Sequence, residues 1–287
     1  MKRIIAVAVV SASVAACAPP SGQESATAKP ASWLDKAPPG TAKLIEAWQQ
    51  GTWGFQGEKG CEYIFCWRNQ LEYNAGAAPK YEIPLIPGGE MEKRWLKIRQ
   101  DLKNGKMTFD TDARCLPSGV PGLLRSGGFR MIATNDRIYF IYGGSQQYRI
   151  IWMDGRKIEP KEDYQLTFNG DSVGHWDEKG RLVIDTTNIR GDDKIVGPHL
   201  PMSNNFWTKE VLTPVADNRI ETEVTMMDVD NWTRPHVEHW SYNRNPEGDL
   251  APQQVCITGE GQRYINDGTG DYVLSGPGGK PLEQAED

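Results

Sequence analysis

The sequence lacks several patterns that identify common protein classes. It contains no Gly-x-Ser-x-Gly motif, no phosphate-binding loop and no dinucleotide-binding fingerprint, so nothing in it predicts a serine hydrolase or an enzyme with a nucleotide or other organic cofactor. It has no cluster of lysines and arginines, and its net charge is -6. Because a nucleic-acid surface needs concentrated positive charge, no nucleic acid is expected as a partner.

The N-terminus has the order of residues found in an export signal. Lys2 and Arg3 precede an apolar run at residues 4–10, and small residues then lead to Cys17. The segment resembles a bacterial lipobox, which implies that Cys17 is lipidated and becomes the mature N-terminus. Ala18 stands where the resemblance would place an aspartate for inner-membrane retention, so an anchor on the periplasmic side of the outer membrane is implied.

Two alternatives to the lipoprotein signal are weaker. One is an ordinary signal peptide with an incidental cysteine, and the other is a transmembrane helix. The apolar run at residues 4–10 is much shorter than the roughly 20 residues that span a bilayer.

The chain divides into five predicted segments. Residues 18–40 are rich in Pro, Ala and Ser without apolar periodicity, which is typical of a flexible tether. The about 270 residues left after export are enough for one domain with a substantial core. The predicted boundaries are 1–17 for the lipoprotein signal peptide, 18–40 for the tether, 41–128 for a helix-containing cover, 129–258 for a β-barrel and 259–287 for an irregular C-terminal tail.

Four further cysteines follow Cys17, and an even number in an oxidising compartment favours disulfides. Four cysteines allow three pairings. We favour Cys61 with Cys66, which closes a small loop, and Cys115 with Cys256, which ties distant regions together and removes more unfolded-state entropy. A zinc site is the competing interpretation, and the long spacings disfavour it.

Two helices are predicted ahead of the β region. One covers residues 41–50, where a threonine can cap the first turn and apolar side chains share one face. The other covers residues 90–104, with acidic residues in its first turn and Gly105 after its last. Trp95 lies on the apolar side of the second helix and is predicted to be a core residue.

Short strands separated by tight turns follow. Such strands favour an antiparallel meander, and a meander of this length avoids unpaired edges most simply by closing into a barrel. The expected fold is therefore mainly β, a lipocalin-like closed barrel with one or two N-terminal helices, and a flat sheet or a sandwich is the alternative. The predicted strands are 129–134, 137–142, 148–153, 164–168, 172–176, 181–187, 206–215, 219–227 and 236–244.

Several short motifs occur in order across residues 87–257. They are the run from Cys115 to Pro121, Arg149 followed by Asp154-Gly155-Arg156, Ser172-Val173-Gly174 with Trp176, the run from Leu182 to Thr186, Pro198-His199 and Thr233-Arg234-Pro235. Together they resemble a family of exported, β-rich bacterial proteins, and the resemblance implies export and a β fold but little chemistry. Residues 157–160, Asp171 and residues 257–258 stand where that family has histidines, so no role of those histidines carries over.

His236 and His239 are three residues apart, a spacing that would bring two metal ligands together on a helix. Pro235 and the alternation after it predict a strand instead, on which side chains two apart share a face. The two histidines would then point to opposite faces. No metal site is therefore predicted.

The predicted strand places four useful side chains on one face. His236 supplies an acid/base group, Glu238 a carboxylate that could orient it, and Trp240 and Tyr242 two amphipathic aromatic rings. Turned into a barrel, this face would suit a flat aromatic or otherwise apolar molecule with a polar handle. A neutral imidazole could exchange one proton with such a molecule near neutral pH. The alternative is an exposed face whose polar groups are simply solvated.

Asp185 lies between apolar and β-branched neighbours, so it is predicted to be a buried aspartate that needs hydrogen-bond donors. Arg149, Arg156 or Arg234 could supply them as a bidentate fork, either as structural support or as a clamp on an anionic substrate.

The long connection at residues 188–205 contains His199 and could form a mobile cover over the mouth of a barrel. The predicted catalytic residues are His236, Glu238, His199 and Asp185, and the predicted substrate-binding residues are Trp240, Tyr242, Trp176, His175, Arg149 and Arg234.

Three functions remain open from the sequence, and we favour the first. It is a lipid-anchored enzyme of the lyase, decarboxylase or isomerase type that acts on a small aromatic or apolar compound without an organic cofactor. The second is a non-catalytic periplasmic binding or envelope lipoprotein. The third is a metal-dependent enzyme.

Overall fold

The computed structural model of the protein describes residues 32–56, 84–103, 116–125, 128–143, 146–191, 195–196, 200–252, 263–266 and 272–275. His199 and the cysteines Cys17, Cys61, Cys66, Cys115 and Cys256 lie outside the described residues. The cover over the barrel mouth, the lipid anchor and the disulfide pairing therefore stay predictions.

Two helices of eight residues or more and a series of strands make up most of the described residues, and Gly119–Gly122 form one further short helical turn. Helices α1 (Thr41–Trp48) and α2 (Glu90–Lys103) lie within the predicted ranges. Trp95 on α2 is 8% exposed and packs in the core, as predicted. The strands are β1 (Thr52–Gln56), β2 (Phe129–Ala133), β3 (Arg137–Tyr142), β4 (Gln147–Trp152), β5 (Asp171–Trp176), β6 (Leu182–Thr187), β7 (Ile195–Val196), β8 (Leu200–Pro201), β9 (Phe206–Ala216), β10 (Arg219–Asp228), β11 (His236–Asn245), β12 (Arg263–Asn266) and β13 (Tyr272–Ser275).

Nine of the strands form a closed barrel in the order β1-β11-β10-β9-β6-β5-β4-β3-β2, which confirms the predicted mainly β, barrel fold. Neighbouring strands are antiparallel, except that β4 and β5 are parallel. Strands in a closed ring of odd number cannot alternate in direction all the way round. One parallel pair is therefore the smallest departure from a meander that lets nine strands close.

The connection at residues 153–170 produces the parallel pair by returning the chain to the end of the barrel where β4 began. The predicted strand at residues 164–168 falls in this connection and is wrong. Asp163–Gln165 form a 3-10 turn instead, and the amide of Leu166 donates to the carbonyl of Asp163. Tyr164 is 83% exposed, so its side chain lies outside the core that the alternating pattern suggested.

Two other segments depart from the predicted boundaries. Strand β1 pairs with both β11 and β2, so the barrel includes residues that the sequence assigns to the N-terminal cover. Strands β12 and β13 form a two-stranded sheet in the C-terminal segment that the sequence predicts to be irregular. Both differences arise because short strands carry too few alternating residues to be distinguished from loops.

Large side chains fill the inside of the barrel. Alternate residues of each strand point inward, and the inner face of β3 and its neighbours is almost entirely apolar. The largest side chains that are less than 2% exposed are Trp48, Trp53, Arg149, Tyr142, Phe129, Phe206, Leu123, Leu124 and Met131. The interior is therefore a packed core and not an open calyx.

The two ends of the barrel are closed differently. Strand β11 ends beside α1, where the guanidinium of Arg244 donates to the carbonyl of Ala47. The Trp48 ring of α1 lies 5.9 Å from the rings of both Trp53 and Trp176. This is the α1 end. The opposite end, where β11 begins, is the His236 end.

Candidate functional site

The candidate site lies on the first residues of β11, at the His236 end. The alternation of β11 turns His236 and Glu238 inward, and they pair in register with Met226 and Val224 of β10, which are fully buried. His239 points outward, with a side chain that is 59% exposed. The strand prediction thus places the two histidines correctly on opposite faces, and they cannot share a metal ion.

His236 and Glu238 form a carboxylate–imidazole pair. The Nε2 atom of His236 lies 3.1 Å from Oε1 of Glu238, and their side chains are 13% and 1% exposed. Paired with an ionised carboxylate, which can only accept a hydrogen bond, the imidazole must carry its proton on Nε2. In the neutral ring, Nδ1 then keeps a lone pair and can accept a proton.

The imidazole is held on a second side by an aromatic ring. The Trp232 ring meets the His236 ring edge to face, with centroids 6.5 Å apart and planes at 86°. Trp232 also packs against Phe206, and its backbone forms a β-bridge with Leu85. The histidine ring is therefore oriented by a buried carboxylate and by a tryptophan that belongs to the core.

Trp240 and Tyr242 continue the same inward face, but both are core residues with 3% exposure. The Phe55 ring lies 5.8 Å from Trp240 and 6.4 Å from Tyr242. The Tyr242 hydroxyl donates to the carbonyl of Leu124, and burial raises the pKa of this phenol well above its usual value. These two rings therefore pack the interior, and neither lines an empty hollow.

A second polar cluster lies deeper in the barrel, around Arg149 of β4. Its guanidinium donates two parallel hydrogen bonds to the Glu210 carboxylate, at 3.0 and 2.6 Å, and further bonds to the hydroxyls of Thr186 and Ser172. The side chains of Arg149 and Glu210 are 1% and 2% exposed. This fork is internal, and no ligand can reach it without opening the barrel.

The prediction that Asp185 is buried and bound by an arginine fork is wrong. The Asp185 side chain is 42% exposed on the outside of β6 and lies 3.7 Å from the ammonium of Lys209. The inward neighbours on β6 are Ile184 and Thr186. Glu210 was missed, although the spacing Phe206, Thr208, Glu210, Leu212 on β9 places it on the same face as two apolar residues.

The remaining predicted site residues do not join His236. His175 is exposed on the outer face of β5, and Arg234 is exposed ahead of β11. Trp176 points inward but packs against α1, at the other end of the barrel. The structure brings together His236, Glu238, Trp240 and Tyr242, and the last two only as packing partners.

Two general features can be excluded for the described part of the chain. It contains no group of three or more His, Cys, Asp or Glu residues that could hold a metal ion. Within the same ranges, no helix has both the length and the hydropathy to cross a membrane.

Comparisons with protein-family models, with curated protein sequences and with solved structures give no significant match. The resemblance to an exported bacterial family therefore stays a prediction.

Proposed function

We propose that the protein binds a small aromatic or apolar compound at the His236 end of the barrel and transforms it by proton transfer through His236. The reaction would be of the lyase, decarboxylase or isomerase type. The observation that supports this proposal is the pairing of a 13% exposed imidazole with a 1% exposed carboxylate at 3.1 Å. A buried carboxylate that fixes the tautomer of a partly exposed histidine is an arrangement suited to general base catalysis.

Each side chain has a distinct role in this proposal. Nδ1 of His236 accepts a proton from the bound compound, and the imidazolium that forms is stabilised by Glu238. The carboxylate acts through the histidine, so Glu238 is a positioning residue. Because the barrel interior is packed, the compound would contact the surface at the His236 end and would not enter the barrel.

We further propose that the mature protein is anchored by Cys17 to the periplasmic side of the outer membrane. The order of basic residues, apolar run and small residues before that cysteine supports this. A reaction confined to the periplasm would draw on compounds that cross the outer membrane.

A second function, non-catalytic binding in the envelope, is favoured by a different observation. The Arg149–Glu210 fork and the Tyr242 hydroxyl are enclosed in the barrel. Among the four side chains predicted to share the inward face of β11, only that of His236 is more than a few per cent exposed. A single histidine at the end of a filled barrel would also suit a binding site for an apolar ligand with one polar group.

The two functions are separated by one set of experiments on the full chain. A panel of small aromatic acids and phenols is screened by intrinsic tryptophan fluorescence, and bound compounds are then followed for product by mass spectrometry. His236→Gln should lower turnover by about 100-fold or more while leaving affinity within a few fold.

His239→Gln is the matched control because this histidine lies three residues away on the outer face and is 59% exposed. It should leave both turnover and affinity unchanged. Binding without product would select the non-catalytic function. Equal turnover of the His236→Gln and wild-type proteins would contradict the catalytic role.

A further inference from the structure

The outer face of β2, β3 and β4 is unusually apolar for a protein surface. Every second side chain of these strands points away from the core and onto this face. Most of these outward side chains are large and hydrophobic. Ile132 is 40% exposed and Tyr148 is 60% exposed. We define the β2–β4 outer face by its apolar side chains, Ile132, Tyr139, Ile141, Tyr148, Ile150 and Trp152; Arg130 and Arg137 occupy the remaining outward positions of these strands.

Part of this face forms a shallow hollow. Tyr139, Ile141, Tyr148 and Ile150 line an open depression of about 540 Å³ outside the β3–β4 hairpin. Contiguous apolar patches of this kind mark sites of association with proteins, ligands or membranes. The β2–β4 outer face therefore has the properties of a docking surface, and its binding partner has to be identified from its chemistry.

Charge distinguishes this face from the rest of the barrel. The outward positions of β9, β10 and β11 include Lys209, Glu221, Glu223 and His239, with side chains that are about half exposed. Across β2 to β4, the described strands carry no acidic residue at an outward position. A surface with this contrast would orient one side of the barrel toward an apolar phase.

The two arginines at outward positions of β2 and β3 are already paired. Arg137 binds Asp136 through two hydrogen bonds, and Arg130 lies 3.4 Å from Asp249. Arg137 also stacks over Trp152, with its guanidinium carbon 3.7 Å from the ring centroid. Any attraction to a partner therefore depends on the apolar and aromatic side chains and not on free positive charge.

The composition of the face matches a lipid–water interface. Tyrosine and tryptophan are enriched where membranes meet water, because each ring has an apolar body and a polar group. Tyr139, Tyr148 and Trp152 provide such rings, and isoleucines lie between them. The guanidinium carbon of Arg156 also lies 3.4 Å from the centroid of the Trp152 ring.

The point where the chain enters the barrel adjoins this face. The amide of Trp33 donates to the carbonyl of Asn135, and its indole Nε1 donates to the carbonyl of Thr134, 2.9 Å away. These two carbonyls belong to the turn between β2 and β3. The 14 residues from 18 to 31 that separate Cys17 from the first described residue can extend about 50 Å at most.

We infer that the β2–β4 outer face docks onto the lipid bilayer to which Cys17 anchors the chain. This inference rests on the proposed lipid anchor, which would keep the turn between β2 and β3 within about 50 Å of the membrane. Residues 18–31 contain no Leu, Ile, Val, Met or aromatic residue, so the tether itself has nothing to fill the hollow. The His236 end lies at the opposite end of the barrel from this turn.

Lipid labelling tests the inference directly. The full chain with its N-terminal lipid is placed in vesicles of phosphatidylethanolamine and phosphatidylglycerol that contain a photoactivatable phospholipid, and labelled peptides are mapped by mass spectrometry. Adducts should concentrate on residues 130–152 and be sparse on residues 206–245. Because the arginines are paired, raising the salt concentration should leave this pattern unchanged.

Paired variants test the contribution of the apolar side chains. Ile132→Ser with Tyr148→Ser should lower the adducts on residues 130–152 roughly tenfold, since two exposed side chains that bury apolar surface are lost. Tyr164→Ser with Val237→Ser is the matched control, because these side chains are 83% and 46% exposed and lie outside strands β2 to β4. The control should label like wild type.

Other outcomes would overturn docking. Even labelling of all faces, or labelling confined to the N-terminal peptide, contradicts it. Loss of a dimer in the Ile132→Ser, Tyr148→Ser variant without lipid adducts would assign the face to a second copy of the chain. The mass of the N-terminal peptide reports lipidation separately, so adducts on residues 130–152 with an unmodified Cys17 would refute the anchor and support docking.

Discussion

Replacing Glu210 by glutamine should destabilise the protein far more than any surface glutamate could. The substitution keeps the size of the side chain but leaves the Arg149 guanidinium charged inside the barrel, where it is 1% exposed. Removing one partner of a buried ion pair costs about 3–5 kcal/mol, because the remaining charge has lost both water and its counter-ion. Since the free energy of unfolding of a domain is about 5–15 kcal/mol, this loss is a large share of the total stability.

The measurement is urea unfolding followed by far-ultraviolet circular dichroism and tryptophan fluorescence. With a slope of about 3 kcal/mol per molar for a domain of this size, the midpoint of Glu210→Gln should fall by roughly 1 M or more. Glu221→Gln is the control, because Glu221 is 57% exposed and lies 3.6 Å from a half-exposed Arg219. Exposed pairs contribute about 0–1 kcal/mol, so its midpoint should barely change.

A double variant separates the charge from the packing. Arg149→Met with Glu210→Leu removes both charges and keeps similar volumes, so it should be close to wild type or more stable. The reasoning is refuted if Glu210→Gln costs no more than Glu221→Gln. It is also refuted if the double variant is as unstable as the sum of its single substitutions, which would show that the two charges do not interact.

Three further predictions concern protonation and packing. Hydrogen bonding to Arg137 lowers the pKa of Asp136 from 3.8 to about 2, so its stabilising effect is complete above the usual pKa and is lost as the pH falls through about 2. Asp136→Asn should therefore unfold more easily than wild type at neutral pH but not in strong acid, as pH-dependent unfolding midpoints will show. Burial raises the pKa of Tyr142 and Tyr242, so an alkaline absorbance titration of the native protein should fall at least two phenolates short of the ten tyrosines in the chain, unless the barrel unfolds. Trp48→Ala removes a fully buried ring at the α1 end and should cost about 3–5 kcal/mol, as measured by chemical unfolding.

Most of the barrel wall could be predicted from the sequence, because a strand with one buried face carries a period of two. That period predicted eight of the nine barrel strands, and it predicted that His236 and Glu238 lie on the same face. It failed at residues 164–168, where alternating side chains occur in a connection whose backbone bonds locally. It also left β1 in the predicted N-terminal cover and outside the barrel, because the partners of this five-residue strand lie far along the chain.

The partners of the buried charges could not be predicted in the same way. The sequence predicted that Asp185 pairs with an arginine such as Arg149, but three-dimensional register decides which acidic residue faces Arg149. Asp185 and Glu210 lie on neighbouring strands, and a shift of one residue exchanges the inner and outer faces. The same register decides that Glu210 is enclosed with Arg149 and that Asp185 meets solvent.

The amino-acid order by itself determined the β alternation and the pairing of an imidazole with a carboxylate two residues away, and it predicts an export signal, because each depends only on near neighbours in the chain. The tertiary structure alone decided how the barrel interior is filled. That outcome depends on side-chain volumes contributed by α1, by the turns at residues 119–125 and by nine strands, which meet only when the ring closes. It also decided which outward side chains adjoin one another, and so created the apolar face of β2 to β4.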